Sequence, residues 1–179
     1  MVASARLKRW AWPVAAALAA GFIEVLAFHG ERREPGLARF TPAGVLADWP
    51  IEQVTFVEVG TAAQHRSFRR RPGGVWRSDT TGAATAADLG ERIEKGLTLL
   101  HNSGPQRTDL ASEQLAEFGL TQPRLTVTAR MADDISTTIE FGGTNPLGLE
   151  RYARIVGRNG ILLLPSFVAD AWEPVAEAR

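Results

Sequence analysis

The N-terminal 28 residues constrain this chain more than any other segment. An apolar run of about 19 residues, Trp10 to Phe28, contains a single charged side chain, Glu24. A helix of about 20 residues spans the roughly 30 Å hydrocarbon core of a bilayer. The basic residues Arg6, Lys8 and Arg9 precede this run. The positive-inside bias therefore predicts a single-pass anchor with its N-terminus in the cytoplasm and the rest of the chain across the membrane.

A cleaved signal peptide is the main alternative for the same segment. Signal peptides have an apolar core of about 7–15 residues and a cleavage site of small residues. This run is longer, and Ala27-Phe28-His29 places a bulky ring and an imidazole where small residues are expected. Cleavage stays open, as does a third interpretation, a buried helix of a soluble protein. Glu24 lies near the outer end, where a carboxylate reaches the interface or pairs with a basic residue of a partner helix.

Composition narrows the class of protein. Lys plus Arg equals Asp plus Glu at 20 each, so net charge does not favour nucleic acid as a partner. The absence of cysteine excludes a disulfide framework, an iron–sulfur cluster and a thiolate nucleophile. His29, His65 and His101 lack metal-ligand spacing, and no serine stands in a nucleophile context. No enzyme, metal or cofactor is predicted. The excess of Arg over Lys and the many Ala are typical of a GC-rich bacterial genome. In a bacterium, the predicted anchor would lie in the inner membrane and the domain beyond it in the periplasm.

Pro and Gly residues, which break regular secondary structure, help to divide the chain into three predicted parts. Residues 1–28 form the cytoplasmic stub and transmembrane anchor, and residues 29–50 form a tether rich in charge, Pro and Gly. Residues 51–179 form the periplasmic domain, and they are enough for one domain with its own core.

Alternation of apolar and polar residues predicts an antiparallel sheet of hairpins with two to three helices, an α+β domain. The strands are predicted at 54–59, 65–70, 75–77, 106–108, 125–131, 135–141, 151–156 and 161–164. Helices are predicted from an N-cap at Thr85 to about Asn102, over 110–118, and over 167–176 after an N-cap at Ser166. Residues 142–150 are predicted to be a loop, and Trp76 is predicted to fill the core.

Several of these elements carry short motifs in a fixed order. They are Trp76, then Phe118-Gly119-Leu120 with Pro123, then Ile139-Glu140-Phe141-Gly142, Thr144-Asn145-Pro146 and Arg151-Tyr152-Ala153-Arg154. Over about residues 51–165 this order resembles the bacterial domain-of-unknown-function family DUF4340. The resemblance implies an envelope protein with an N-terminal membrane segment, often encoded beside ABC-transporter components of the gliding-motility type. Many members carry more than one copy of the domain, whereas this chain carries about one.

Two segments are candidates for binding a partner. Arg66, Arg69, Arg70 and Arg71 form the one basic cluster of the domain, which is either an anion or partner patch or a solvated edge strand. The loop containing Asn145 and Pro146 either cradles a ligand through its backbone N–H groups or only connects two strands.

The sequence therefore favours a non-catalytic interaction module, an accessory subunit of an ABC-transporter-like membrane complex. The alternative is a periplasmic domain that binds a glycan or small ligand.

Overall fold

Alternating apolar and polar residues produce a sheet with one buried and one largely polar face. A computed structural model of the protein describes residues 43–110 and 114–178, all of which belong to one compact unit. The strands are β1 Val54–Gly60, β2 His65–Arg70, β3 Trp76–Ser78, β4 Arg107–Leu110, β5 Leu125–Met131, β6 Ser136–Thr144, β7 Glu150–Ile155 and β8 Ile161–Pro165. They form one antiparallel sheet in the order β3-β2-β1-β5-β6-β7-β8-β4.

Three α-helices accompany the sheet: α1 Ala87–Asn102, α2 Ser166–Asp170 and α3 Glu173–Glu177. A 3-10 turn, Ile51–Gln53, precedes β1. Helix α1 connects β3 at one edge of the sheet to β4 at the other, and its buried residues Ile93, Leu97 and Leu100 follow helical spacing. The predicted α+β domain built on an antiparallel sheet is confirmed.

The main core lies between one face of the sheet and the helices. Val57, Val127 and Phe141 from the strands meet Leu97 of α1 and Trp172 from the α2–α3 corner in one buried cluster. Trp76 also belongs to this cluster and is 2% exposed, which confirms its predicted place in the core.

A smaller cluster lies on the other face of the sheet. Phe118, Leu120 and Ile161 are buried there, with Tyr152 packed against them. Successive side chains of a strand point to opposite faces, and Ala153 belongs to the main core, so Tyr152 faces away from it. The segment before β5, residues 114–124, therefore covers part of the sheet's second face.

The folded domain begins before the predicted boundary at residue 51. Leu46 and Trp49, assigned to the tether from sequence, are 2% and 9% exposed and belong to the main core. The N–H of Leu46 donates to the carbonyl of Leu100 (3.0 Å), so this segment packs on the end of α1. The predicted anchor, 10–28, and the tether up to residue 42 lie outside the described residues.

Three local predictions were wrong. Thr85 does not cap α1, because its hydroxyl donates to the Trp76 carbonyl (2.9 Å) and Ala86 takes the N-cap position. Ser166 is likewise no N-cap, since Pro165 occupies that position. The last helix is divided at Ala171–Trp172, because Pro174 has no N–H to continue the hydrogen-bond ladder.

Two further boundaries differ from prediction because of long-range pairing. Leu110, the first residue of a predicted helix, ends strand β4 and pairs with Ile161 of β8. Gly142 and Gly143 belong to β6 instead of the predicted loop. Within 43–110 and 114–178, none of the helices has the length and hydropathy that a membrane span requires.

Candidate functional site

The four arginines of the basic cluster do not form one patch. Residues 66 and 70 of β2 share a face with the buried Phe68, whereas Arg69 lies on the opposite face. Arg71 follows the strand in an exposed turn, where its backbone N–H donates to the Val75 carbonyl (2.9 Å). Each of the four arginines therefore has its own environment.

The Arg70 side chain is held by contacts within the domain. Its guanidinium donates to both carboxylate oxygens of Glu94 (2.6 and 2.7 Å) and lies 4.9 Å from the centre of the Trp76 ring. The Trp76 indole N–H donates to the same carboxylate (2.7 Å). The Arg70 side chain is only 12% exposed, so it makes its contacts within the domain and presents little surface to a partner.

Arg69 is paired on the other face of the sheet. It donates to both oxygens of Asp79 (2.8 and 3.3 Å). The hydrogen bond from Arg69 lowers the pKa of Asp79, and the same bond raises the pKa of Arg69. Arg69 and Arg130, from the two strands beside β1, also lie 5.5 and 4.7 Å from the centre of the Phe56 ring. They shield an aromatic ring that would otherwise be exposed on this face.

Arg66 connects β2 to α3. Its Nε donates to the Ala176 carbonyl (3.1 Å), which also accepts the side-chain amide of Gln64 (2.8 Å). Arg71 is exposed, whereas the other three arginines are half-buried. A role for any of them in binding a partner stays a prediction.

The Asn145 side chain organises the loop between β6 and β7. Its Oδ1 accepts the backbone N–H groups of Leu149 and Glu150 (3.2 and 3.3 Å), and its Nδ2 donates to the Glu150 carboxylate (2.7 Å). The Asn145 carbonyl accepts the N–H of Gly148, which has φ 72°. The side chain of Asn145, which was predicted to bind a partner, thus makes these hydrogen bonds within the loop itself.

Apolar side chains project from this loop. Leu147 is 77% exposed and Leu149 is 68% exposed, the two highest values among the exposed large hydrophobic residues of the described chain. Pro146, predicted together with Asn145, is exposed beside them. The Ser166 N–H and hydroxyl both donate to the Leu149 carbonyl (3.0 and 2.9 Å), which holds the start of α2 against the loop.

Phe167 follows Ser166 and is 53% exposed. The bonds from Ser166 to the Leu149 carbonyl place Phe167 one residue from the point where α2 meets the loop. We call Pro146, Leu147, Leu149 and Phe167 the apolar tip. Sequence reasoning noticed the loop but missed its leucines. Their spacing around Gly148, in a segment otherwise composed of turn residues, is the signal that could have indicated them.

Acidic side chains adjoin the apolar tip. Arg151, 11% exposed, donates to Asp170 (3.1 Å) and to Glu173 (3.3 Å), both of which are about half exposed. One buried cation thus faces two carboxylates, so this group carries a net negative charge. Glu150 adds another carboxylate directly after Leu149.

A separate candidate site is a cleft at the β3 side of the sheet. The cleft, of about 750 Å³, opens between β2, the β3–α1 connection and α3. Phe68 and Leu89 provide apolar lining, and the charges of its lining balance, with Arg66 and Arg92 against Asp88 and Glu177. In the part of the chain that the structure describes, no three His, Asp or Glu side chains are grouped as metal ligands.

Two of the sequence motifs meet in space. Gly119, with φ 69°, lies in the segment before β5, and the neighbouring Phe118 carbonyl accepts the N–H of Gly143 (2.8 Å). A Cβ atom at position 142 would lie 2.2 Å from that carbonyl oxygen, so the approach of the two segments requires glycine there. The motif residues therefore have structural roles in joining the segment before β5 to strand β6.

Comparison with known proteins agrees with this motif arrangement. A family model described as a domain of unknown function, DUF4340, matches residues 76–176. This range begins at Trp76 and includes both glycine motifs, the apolar tip and the α2–α3 corner. No curated protein and no solved structure matches the chain significantly. The match covers more than half of the chain, which therefore belongs to the DUF4340 family.

Proposed function

We propose that this protein is a membrane-anchored, periplasmic interaction module that binds another subunit of a bacterial envelope complex and has no catalytic role. The observation that carries the binding role is the apolar tip, where Leu147 and Leu149 are 77% and 68% exposed on a loop closed by Asn145. The basic residues before the apolar run 10–28 support the anchor and the orientation.

The energetics of the tip favour association. Fully burying a leucine side chain is worth about 1.5–3 kcal/mol relative to leaving it exposed. Binding normally loses part of such a gain in ordering flexible loops. Here the hydrogen bonds of Asn145 order the loop in the free domain, so less of the gain is lost.

The resemblance to DUF4340 supports a particular setting. The resemblance implies that many members are encoded beside ABC-transporter components, so we propose that the partner complex is ABC-transporter-like.

Two measurements test the proposal. A topology reporter fused after Arg179 is expected to be active only in its exported form, and an active cytoplasmic reporter would contradict the orientation. The full-length chain is then purified from its native membranes with its associated subunits. The double variant Leu147→Ser/Leu149→Ser is expected to lose them at an unchanged melting temperature.

A matched control uses exposed apolar residues at the opposite end of the sheet. Val75 and Ile135 are 50% and 52% exposed and lie in the β2–β3 and β5–β6 turns. The double variant Val75→Ser/Ile135→Ser is expected to retain the associated subunits. Equal retention by both double variants would contradict a binding role for the apolar tip.

The cleft supports a second candidate, a periplasmic domain that binds a glycan or small ligand. Its 750 Å³ and its lining of hydroxyl, amide and charged groups around Phe68 and Leu89 suit a polar ligand with one apolar face. A rise in melting temperature with a soluble oligosaccharide, abolished by Arg92→Ala, would favour this candidate. The absence of any shift across a panel of cell-wall glycans would exclude those glycans as ligands.

A further inference from the structure

We infer that the apolar tip inserts into an apolar pocket of a folded protein whose rim is basic, and that it does not insert into lipid. This inference rests on the proposed function and names the chemistry of the partner. The shape, the rigidity and the charge of the tip support this inference.

The shape of the tip indicates a concave partner. Leu147 lies in the connection that extends beyond the ends of β6 and β7, and it is 77% exposed. Leu149 and Phe167 stand on two segments joined by the bonds from Ser166 to the Leu149 carbonyl. A projection of this kind buries its side chains only in a pocket or in a deformable phase such as a bilayer.

The rigidity of the tip favours a preformed pocket. Asn145 uses both ends of its amide and its carbonyl to close the loop, and Ser166 fixes the loop to α2. The positions of the leucines relative to Phe167 are thus set before binding. Preorganised apolar side chains in a pocket are typical of the residues that dominate protein–protein affinity.

The surrounding charge argues against a membrane. Phe167 and Asp170 are three residues apart on α2, so they share one face of the helix. Asp170 and Glu173 carry two negative charges against the single positive charge of the buried Arg151 that they both bind. Glu150, which follows Leu149, adds another carboxylate. Amphipathic segments that lie at lipid interfaces are typically rich in Lys and Arg on their polar face, which anionic lipids attract. An acidic border instead complements a basic rim on a protein.

The experiment uses the absence of cysteine from the chain. Pro146→Cys places one thiol in the apolar tip and retains Leu147, Leu149 and Phe167. Val75→Cys places a matched thiol in a turn at the other end of the sheet. Each full-length variant is produced at its native level, and its rate of labelling by a membrane-impermeant maleimide is measured in permeabilised native cells. The same rates are measured for purified chain in phosphatidylethanolamine–phosphatidylglycerol vesicles.

We expect Cys at position 146 to react at least about tenfold more slowly in cells than in vesicles, as when about nine-tenths of the chain is bound. Cys at position 75 should react equally in both. Slow labelling at position 146 already in the vesicles would mean that lipid is the occupant and would overturn the inference. Equal rates at position 146 in cells and vesicles would also overturn it, because nothing then covers the tip.

A second variant tests the basic rim. Asp170→Asn retains an oxygen that accepts from Arg151 but removes the negative charge. In the Pro146→Cys background it is expected to restore much of the labelling in cells without lowering the melting temperature. Unchanged protection would overturn the charged part of the inference. Labelling of intact cells separately reports topology: if neither thiol reacts before permeabilisation, the proposed periplasmic location fails while the test of the tip still stands.

Discussion

The indole ring of Trp172 lies directly on Gly96 of α1. A Cβ atom at position 96 would lie 2.6 Å from both Cε2 and Cζ2 of the ring, closer than real Cβ atoms approach. Trp172 is fully buried at the corner between α2 and α3. The missing side chain at position 96 therefore lets the C-terminal helices pack against α1 and complete the core.

Gly96→Ala should destabilise the domain by about 1–3 kcal/mol, because the added methyl group forces Trp172 out of a packed site. The matched control is Gly90→Ala in the same helix, where the nearest atoms to a Cβ lie at 3.8 and 3.9 Å. Alanine has the better helix propensity, so Gly90→Ala should stabilise by up to about 1 kcal/mol. Chemical denaturation of both variants measures the difference. A stabilising Gly96→Ala would contradict the close packing.

Gly142→Ala should release the segment before β5 from the sheet, because a methyl group there would meet the Phe118 carbonyl at 2.2 Å. Gly143→Ala is the matched control, since its nearest contact, with the same oxygen, would be an ordinary 3.6 Å. We expect Gly142→Ala to lower the free energy of unfolding by about 1–3 kcal/mol, and more than Gly143→Ala does. Hydrogen exchange of the Gly143 amide, which donates to Phe118, reports the local opening. Equal effects of the two variants would refute this account.

Trp76→Ala should cost about 3–5 kcal/mol, because it leaves a cavity in the core and removes both the ring beneath the Arg70 guanidinium and the indole N–H that donates to Glu94. Trp76→Phe retains an aromatic ring and should cost less. Melting temperature and denaturant midpoint measure both. A Trp76→Ala variant with unchanged stability and lost partner binding would instead identify Trp76 as a binding residue.

The pH dependence of stability should include a contribution from Asp79. Its pKa is lowered in the folded state, so the stabilisation is present above the ordinary pKa of an aspartate and is lost as the pH falls through the lower folded value. The Arg69–Asp79 pair is partly exposed, so the contribution should be below about 1 kcal/mol and weaker in high salt. The free energies of unfolding of wild type and Asp79→Asn should therefore begin to converge below about pH 4 and coincide only once the pH lies below the lower folded pKa of Asp79.

A double-mutant cycle isolates this pair. In the Arg69→Met background, which keeps apolar cover over Phe56, Asp79→Asn should change the pH profile much less, because the charges of Arg71 and Arg130 are smaller causes of the lowered Asp79 pKa. An effect of Asp79→Asn that is undiminished without Arg69 would assign the pKa shift to another cause.

The folded domain should require the residues before Ile51. The fragment 41–179 is expected to unfold cooperatively, whereas the fragment 51–179 lacks the buried Leu46 and Trp49 and should be several kcal/mol less stable. Leu46→Ala in the longer fragment should by itself cost about 2–5 kcal/mol. Equal denaturant midpoints for the two fragments would show that residues 43–50 do not contribute to the core.

Local patterns were sufficient for most strands. In β2 the predicted and observed bounds coincide, and in β5 the alternation of Leu125, Val127 and Ala129 with polar residues predicts the buried face. This works because the period of a strand is two, so a half-buried strand carries its orientation in its own residues. The same rule applied to β2 would have separated Arg69 from Arg66 and Arg70, which were instead considered one patch.

Contacts between distant segments could not be derived in this way. Thr85 and Ser166 have the chemistry of N-caps, but the Trp76 and Leu149 carbonyls compete for their hydroxyls. In the sequence Leu46 resembles a tether residue, but in the folded domain it packs on the end of α1. Gly96 likewise resembles an unfavourable helix residue, but its missing side chain makes room for Trp172. Alternation, turns and the order of the family motifs are properties of neighbouring residues, so they could be derived from the chain alone. Which leucines are buried, which carbonyl a hydroxyl reaches and which loop residues project depend on the segments that folding brings together, and these emerge only in the folded domain.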